Sequence, residues 1–415
     1  MSKNLILQGK KIAHLNAFYK SDCKGGGEKV SFAIRDYYNA DLWAGGIGLK
    51  GWGKNLINKD SFVDRLWDQK YNFYYLHLDS EFPIWRQIKR QLFFLFSPKI
   101  ENLKKYDIII YGGNVGIVPS RIRKPNFIAN LIQFLFNLFS QDKVVKKANQ
   151  KQVLYCHTPP RPFTDQFENR LNKLPFFIRP FFILLMKWVR YQYKQDLLSM
   201  DLIISNSINV KNRLKTYFDV QATFIYPPAE IDRFEYIETG DYFLSYARLE
   251  PLKRIDLIVD AFSKMPDKKL VICSSGPLKD WLINEIKTKN LTNIVYEGLV
   301  SDERLKELVG KCLAGIYIPV NEDIGMTQTE LMAAGKPVIG VDEGGLRETV
   351  INNQTGILIP ENPKVDDFIV AIRQMNFELA NKMKLDCIKQ AKKFGNEVFF
   401  EKLDEEICKL YKSNL

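Results

Sequence analysis

The second half of the chain alternates short apolar runs with longer amphipathic stretches at a steady spacing. Apolar runs typical of buried strands lie at residues 243–247, 269–273, 294–297, 314–320 and 337–342. Helix-like stretches follow them, at residues 255–264, 279–289, 302–311, around Glu330, and at 346–351. Strands that alternate with helices form a mostly parallel sheet with right-handed crossovers. Such sheets bind ligands at the carboxyl ends of their strands, so the polar residues after each run are candidates for a site.

The first half shows the same alternation with longer interruptions. Its strand-like runs lie at residues 11–15, 106–111, 152–156, 202–207 and 222–226. A chain of 415 residues exceeds one ordinary domain. We therefore predict an α/β fold in which one architecture is used twice. The predicted domains are residues 1–228 and 229–395, and a C-terminal helix at 396–415 is expected to pack back toward the first domain.

The charge balance favours anionic partners. Lysine and arginine outnumber aspartate and glutamate by 60 to 48, which gives a net charge of +12. This excess suits nucleotide phosphates, acidic lipid surfaces or nucleic acid. No recognisable nucleic-acid module is present, so nucleic acid is not an expected partner.

The cysteine pattern and the apolar segments indicate a cytoplasmic protein. The six cysteines are scattered singly and form no Cys-x-x-Cys pair, which fits a reducing compartment. The N-terminus lacks the pattern of a secretory signal, and no run reaches the roughly 18 apolar residues of a spanning helix.

Three segments mix apolar residues with cations, at residues 87–99, 126–147 and 176–188. Such a segment fits a helix that lies on an anionic membrane, and here that membrane would be the inner leaflet, bound peripherally. It fits equally a helix buried between domains, and burial is the alternative that we favour.

Two carboxylates follow the run at 314–320. Glu322 lies on the loop, and Glu330 lies one turn into a helix that starts near Met326. Gly325 between them allows a ligand to approach the backbone closely, and the helix start presents free N–H groups. A carboxylate that accepts two hydrogen bonds matches the vicinal diol of a sugar. The alternative is local: Glu330 caps or pairs within its own helix, and Glu322 is solvated.

Two cations, Arg248 and Lys253, follow the run at 243–247 directly. A diphosphate would bind at such a strand end, and a guanidinium suits bidentate contact with phosphate. The alternative is a solvated basic turn, and the adjacent Arg254 weakens the case for any single cation. Enzymes that hold a diphosphate through a metal commonly use a D-x-D pair. The chain contains none, so fixed cations are expected to replace a metal, and no cofactor is expected.

The first half offers one candidate histidine among its three, and one glycine cluster. His157 ends the run at 152–156, and Pro159 and Pro160 stiffen the loop that follows. It is either a turn histidine or a group held near the reacting carbon. Gly26 and Gly27 belong to a predicted flexible loop that lacks the G-x-G-x-x-G spacing. They either form a loop without a function, or supply backbone N–H donors that face a diphosphate or an acceptor.

Taken together, these residues carry a family resemblance. The order Arg248, Lys253, Glu322, Glu330 resembles that of retaining glycosyltransferases of family 4, which have the GT-B fold. Supporting segments lie at 275–278, 297–301 and 343–350 in the C-terminal half, and at 203–207 and 225–229 between the domains. The segment at 157–161 resembles a branch that contains O-antigen mannosyltransferases.

The resemblance implies two Rossmann-like domains facing across a cleft, and a role for each residue. Arg248 and Lys253 would neutralise the diphosphate, Glu322 would bind the transferred sugar, and Glu330 would bind the ribose. His157 would lie by the donor sugar and the acceptor. The other donor-binding positions would be Gly325, Met326, Thr327, Gly276, Gly26 and Gly27.

The expected reaction is transfer of a hexose with retention, in polysaccharide or glycoconjugate biosynthesis. The donor would be GDP-mannose or a UDP-hexose, and the acceptor a hydroxyl of a glycan or lipid-linked glycan. Two other functions fit the same scaffold. The first is a nucleotide-sugar isomerase or epimerase, which would need further acid–base carboxylates. The second is a non-catalytic binding protein for nucleotide-sugars, and the intact charged positions argue against it. The chain departs from the family pattern at Ile324, where phenylalanine is frequent, and in the less glycine-rich segment at 274–276.

Overall fold

The computed structural model describes residues 5–20, 26–48, 73–75, 103–112, 149–161 and 164–412. The chain divides into two compact units. The first is Met1–Ile225 together with Phe400–Leu415, and the second is Tyr226–Phe399. The predicted boundaries lay after residues 228 and 395.

The described strands of the first unit form one parallel sheet of order β3-β2-β1-β4-β5-β6-β7. The strands are β1 (Ile12–Lys20), β2 (Asp41–Gly48), β3 (Phe73–Tyr75), β4 (Ile108–Gly112), β5 (Lys151–Cys156), β6 (Leu202–Ser205) and β7 (Thr223–Phe224). Every residue of β4 is buried, and so is β5 beyond Lys151. A parallel sheet covered on both faces has this continuous apolar pattern.

The helices described in the first unit are α1 (Gly26–Tyr38), α2 (Phe167–Asn172), α3 (Arg179–Leu198) and α4 (Ile208–Phe218). Helix α1 starts three residues before the helix predicted at Lys29, so the loop prediction for Gly26 and Gly27 is wrong. The Ser31 hydroxyl donates to the Gly27 carbonyl at 3.0 Å, which secures this first turn. Gly25 lies outside the described residues.

The second unit contains a parallel sheet of order β10-β9-β8-β11-β12-β13. Its strands are β8 (Tyr242–Ser245), β9 (Lys269–Ile272), β10 (Ile294–Tyr296), β11 (Ala314–Tyr317), β12 (Val338–Val341) and β13 (Gly356–Ile359). Its helices are α5 (Ile255–Ser263), α6 (Lys279–Thr288), α7 (Asp302–Lys311), α8 (Thr327–Ala333), α9 (Leu346–Thr349), α10 (Val365–Gln374) and α11 (Phe377–Ala391). Strand β11 ends before the predicted Val320, and Pro319 has no N–H to extend the ladder.

The last helix, α12 (Asn396–Lys412), contributes its C-terminal part to the first unit. The Phe400 ring stacks on Tyr37 with 3.9 Å between centroids. Asp404 accepts hydrogen bonds from the hydroxyls of Tyr37 at 2.8 Å and Tyr38 at 2.6 Å. These contacts attach α12 to the end of α1.

The segment at 176–188 lies at the surface of the first unit. Phe177, Phe181 and Leu184 are each 68% exposed, so the favoured prediction of a buried helix is wrong here. A bilayer-spanning helix is not among those that the structure describes, because each is too short or too polar. The segments at 87–99 and 126–147 lie outside the described residues.

Candidate active site

The predicted cations and carboxylates of the second unit follow two adjacent strands. Strands β8 and β11 pair in parallel. The segment with Arg248 and Lys253 follows β8, and the loop with Glu322 follows β11. The Val320 amide donates to the Leu252 carbonyl at 2.8 Å, which joins the two segments. The sheet therefore brings the two predicted groups to one edge.

Lys253 and Glu322 contact each other directly. The Lys253 ammonium donates to Glu322 Oε2 at 2.7 Å and to the Tyr317 hydroxyl at 2.9 Å. Both members of the ion pair are half-buried. Lys253 is thus fixed in place and is not part of a solvated turn.

Tyr317, the last residue of β11, is a site residue that the sequence patterns did not identify. Its ring lies 5.1 Å from the Lys253 ammonium, measured to the ring centroid. Burial, and then the Glu322 charge, raise the pKa of Tyr317 well above its ordinary value. Tyr317 therefore stays protonated and keeps its hydroxyl as a hydrogen-bonding group between the two charges.

Arg248 and Arg254 differ in what they contact. Arg248 pairs through Nε with Glu250 at 2.9 Å and is exposed. Arg254 contacts both oxygens of Glu343, at 2.8 and 3.1 Å, and two backbone carbonyls after β11, at 3.0 and 3.2 Å. Arg254 thus ties the segments after β8, β11 and β12 together. Its charge is neutralised by a buried carboxylate, which leaves Arg248 and Lys253 as the candidate phosphate ligands.

Glu330, the fourth residue of α8, is buried. The Tyr246 hydroxyl lies 3.1 Å from Glu330 Oε2 and 3.0 Å from the Thr327 carbonyl oxygen. Burial, and then the Glu330 charge, raise the pKa of Tyr246 well above its ordinary value. Tyr246 directly follows β8, so the end of this strand orients Glu330. The N-cap position of α8 is Met326, and Glu330 does not occupy it.

Gly325 and Gly276 are required by close packing at this edge. Gly325 has a φ of +73°, and a Cβ there would lie 2.8 Å from a ring carbon of Tyr317. A Cβ on Gly276 would lie 2.3 Å from the Leu249 carbonyl oxygen. Any side chain would displace the segments that hold Tyr317 and Arg248. The direct role of both glycines is therefore structural, and contact with a donor stays a prediction.

The loop after β12 fixes the backbone of Glu322. The Gly345 amide donates to the Glu322 carbonyl at 2.8 Å. A Cβ on Gly344, where φ is +56°, would lie 2.4 Å from the same carbonyl oxygen. The position of this carboxylate therefore depends on a third strand end.

In the first unit, His157 lies beside the first turn of α1. A Cβ on Gly27 would lie 3.7 Å from His157 Nε2, and the His157 ring meets Tyr155 edge-on at 5.2 Å. This Nε2 atom is buried and has no hydrogen-bond partner within the described ranges. Burial lowers the pKa of His157 to about 4, so its imidazole is neutral at pH 7. Gly26, by contrast, is exposed at the start of α1.

His14, on β1, is a second histidine of this region and was not predicted as a site residue. Its Nε2 lies 2.9 Å from the Ser31 hydroxyl, which bonds to Gly27. Burial, and then the proximity of His157, lower the pKa of His14 to about 3. The sequence signal was a histidine on the strand that precedes a glycine cluster, but a strand histidine is ordinarily structural.

A metal site is not evident in the part of the chain that the structure describes. No group of three or more His, Cys, Asp and Glu side chains there could hold an ion. Metal-independent chemistry stays a prediction.

Residues 229–394 match the family described as "Glycosyl transferases group 1". An alpha-1,3/1,6-mannosyltransferase ALG2 of Dictyostelium discoideum is 27% identical over 74% of this chain and 76% of its own length. The Homo sapiens protein of the same name is 24% identical over 72% of this chain and 80% of its own.

A solved structure shares the architecture of almost the whole chain. The Anabaena protein HepE (Alr3699), in complex with UDP and glucose, superposes with a TM-score of 0.66. It is 15% identical, and the match covers 96% of this chain and 99% of the Anabaena chain. Likeness at this identity shows the fold. The chain is therefore a glycosyltransferase of the two-domain α/β GT-B fold, it resembles mannosyltransferases, and its residues 229–394 match the group 1 glycosyltransferases.

Proposed function

We propose that the chain transfers a hexose, with mannose from GDP-mannose as the first donor to test, to a hydroxyl of a glycan or lipid-linked glycan. The anomeric configuration is retained. One observation carries this: the Lys253–Glu322 pair with Tyr317, and the contact between Tyr246 and Glu330, lie at the same edge, where β8 and β11 end. The two relatives described above, named as mannosyltransferases, support the choice of sugar.

The departing diphosphate gains negative charge in the transition state, and Lys253 meets it. An ammonium has three N–H donors, and the bonds to Glu322 and Tyr317 use two of them. The third serves a phosphate oxygen. Arg248 adds a second cation, because its contact with Glu250 uses only the Nε edge of the guanidinium. These fixed charges do the work that a metal ion does elsewhere, so the transfer requires no metal.

The two carboxylates bind the hydroxyls of the donor. Glu322 accepts from the transferred hexose, next to the diphosphate that Lys253 holds. Glu330 accepts from the ribose, in an orientation maintained by Tyr246. The assigned subsites for hexose, diphosphate and ribose follow the order of groups in a nucleotide-sugar.

Retention follows from attack on the face that the phosphate leaves. This route needs no nucleophile from the protein, and the departing phosphate takes the proton of the acceptor hydroxyl. His157 serves as a neutral hydrogen-bond acceptor through Nε2, in the tautomer that carries its proton on Nδ1, because its lowered pKa keeps the imidazole uncharged. A neutral acceptor suits a hydroxyl better than it suits a phosphate.

Thermal-shift measurements with GDP-mannose, UDP-glucose and the free nucleotides test the donor, because a ligand that binds only the folded form raises its stability. Transfer is then followed by NMR of the new anomeric centre, with and without EDTA. We expect one donor to stabilise the protein and to give a retained product at a rate that EDTA does not change. Donor turnover that needs no acceptor would instead indicate an isomerase, and donor binding without turnover on any glycan would indicate a binding protein.

A further inference from the structure

Helix α3 carries apolar residues on two faces, and only one face is covered. Tyr193 and Leu197 are buried in the core of the first unit, where Met186 and Val189 pack against the same cluster. The other face is exposed. We define the exposed stripe by its members, which are Phe177, Phe181, Leu184, Trp188 and Tyr191.

The spacing of the exposed stripe follows the helical period. Phe181, Leu184, Trp188 and Tyr191 lie at i, i+3, i+7 and i+10 of α3, which places their side chains on a single face, and Phe177 lies in the turn just before the helix. The three members at the N-terminal end are each 68% exposed. Isolated exposed apolar residues are ordinary, whereas a contiguous patch marks an interaction surface.

The stretch of chain that carries the stripe is basic. Between residues 169 and 195 the chain has six Lys and Arg residues and no Asp or Glu. Lys173 and Lys187 are exposed, and Arg190 lies over the rings of Phe167 and Tyr217 at 5.9 Å. A partner that complements this surface has an apolar layer to receive the stripe and anionic groups to pair with the lysines and arginines.

We propose that the exposed stripe docks on an anionic lipid bilayer, with α3 lying in the plane of the interface. A second copy of the chain would bring the same cations face to face. An aromatic stripe bordered by lysines is instead the pattern of an interfacial helix.

The docking surface deepens the proposed function and rests on it for its use, because a lipid-linked acceptor is presented at such a bilayer. Its physical basis is separate, since no residue of the stripe belongs to the candidate active site. The binding test below therefore uses no donor and no acceptor.

Flotation with vesicles of phosphatidylcholine, alone or mixed with phosphatidylglycerol, tests the docking. We expect the full chain to float only with the mixed vesicles, and less at high salt. Leu184→Glu should reduce the bound fraction about tenfold, because it places a charge in the apolar stripe. Lys187→Gln should reduce binding about fivefold, the equivalent of about 1 kcal/mol for one basic residue near an anionic surface.

Leu385→Glu is the matched control, because Leu385 is 75% exposed on a helix of the second unit. It should float like the unchanged protein. The proposal is overturned if the unchanged protein does not float, or if both Glu variants lose binding equally. It is also overturned if light scattering shows a dimer that Leu184→Glu dissociates. Donor thermal shifts separate the two hypotheses: a protein that floats but binds no nucleotide-sugar leaves the docking intact and refutes the proposed function.

Discussion

Lys253 and Glu322 form a 2.7 Å ion pair across the carboxyl ends of β8 and β11. The two residues are 69 positions apart in the chain, and the pairing of the two strands brings them together. In the proposed function, they hold the diphosphate and the hexose, so the two subsites are adjacent before any ligand binds. Such preorganisation lets charged groups stabilise a transition state without reorganising during the reaction.

Lys253→Met should reduce kcat about 100- to 1,000-fold, because the charge that meets the leaving phosphate is lost. The measurement is turnover at saturating donor, together with a thermal melt. Lys269→Met is the control, since Lys269, the first residue of β9, is an exposed lysine that pairs with Asp241. The role assigned to Lys253 fails if the Met variant folds normally and turns over at the rate of the unchanged enzyme.

Glu330→Gln should raise the KM for the donor about 10- to 100-fold, because charge-assisted hydrogen bonds to the ribose become neutral ones. A donor with 2′-deoxyribose should lose much less on the same substitution. Tyr246→Phe removes the hydroxyl that orients Glu330 and should raise KM by a smaller factor. A fall in kcat at unchanged KM would place Glu330 at the reacting centre and contradict a ribose role.

The sequence predicted both parallel sheets and the strand ends at which the charged residues meet, because apolar runs and their spacing are local properties. It did not predict the contacts between those residues. Tyr317 and Tyr246 lie within predicted apolar runs, where the pattern indicates a core residue. Arg254 and Arg248 are indistinguishable until Glu343, 89 positions further along, is found beside Arg254.

Two predictions were wrong for physical reasons that a pattern does not contain. Gly26 and Gly27 have low helix propensity, yet the Ser31–Gly27 bond supports them in the first turn of α1. Helix α3 is apolar on two faces, and a sequence does not state how many of those faces the rest of the fold covers. Strands β2 and β13 were not predicted.

Gly276→Ala and Gly27→Ala should behave in opposite ways. The new Cβ at Gly276 would lie 2.3 Å from a backbone oxygen, and overpacking of this kind costs about 1–3 kcal/mol. The new Cβ at Gly27 makes ordinary contacts with His157 at 3.7 Å. Thermal melts should therefore show a lower Tm for the first variant and an equal or higher Tm for the second.

A marked destabilisation by Gly27→Ala would contradict this account of α1. If the variant folds as expected, it also provides a clean functional probe. Any loss of donor turnover in it would report on contact with a ligand, because the fold is preserved.

The stability of the first unit should fall as the pH drops below about 6.5. Folding lowers the pKa of His14 to about 3 and that of His157 to about 4, whereas both titrate near 6.5 in the unfolded chain. Below pH 6.5 the unfolded state therefore binds more protons than the folded state does. The stability present at neutral pH is lost progressively until the pH reaches the folded pKa values.

Each histidine contributes a slope of about 1.4 kcal/mol per pH unit within this window. The interval from pH 7.5 to 5.5 isolates the effect, because carboxylates titrate mostly below it. Denaturation should show a smaller loss over this interval for His157→Gln than for the unchanged protein, and a smaller loss still for the double variant with His14→Gln. The same pH-dependent loss in all three proteins would show that neither imidazole is buried in its neutral form, and it would remove the basis for treating His157 as a neutral acceptor.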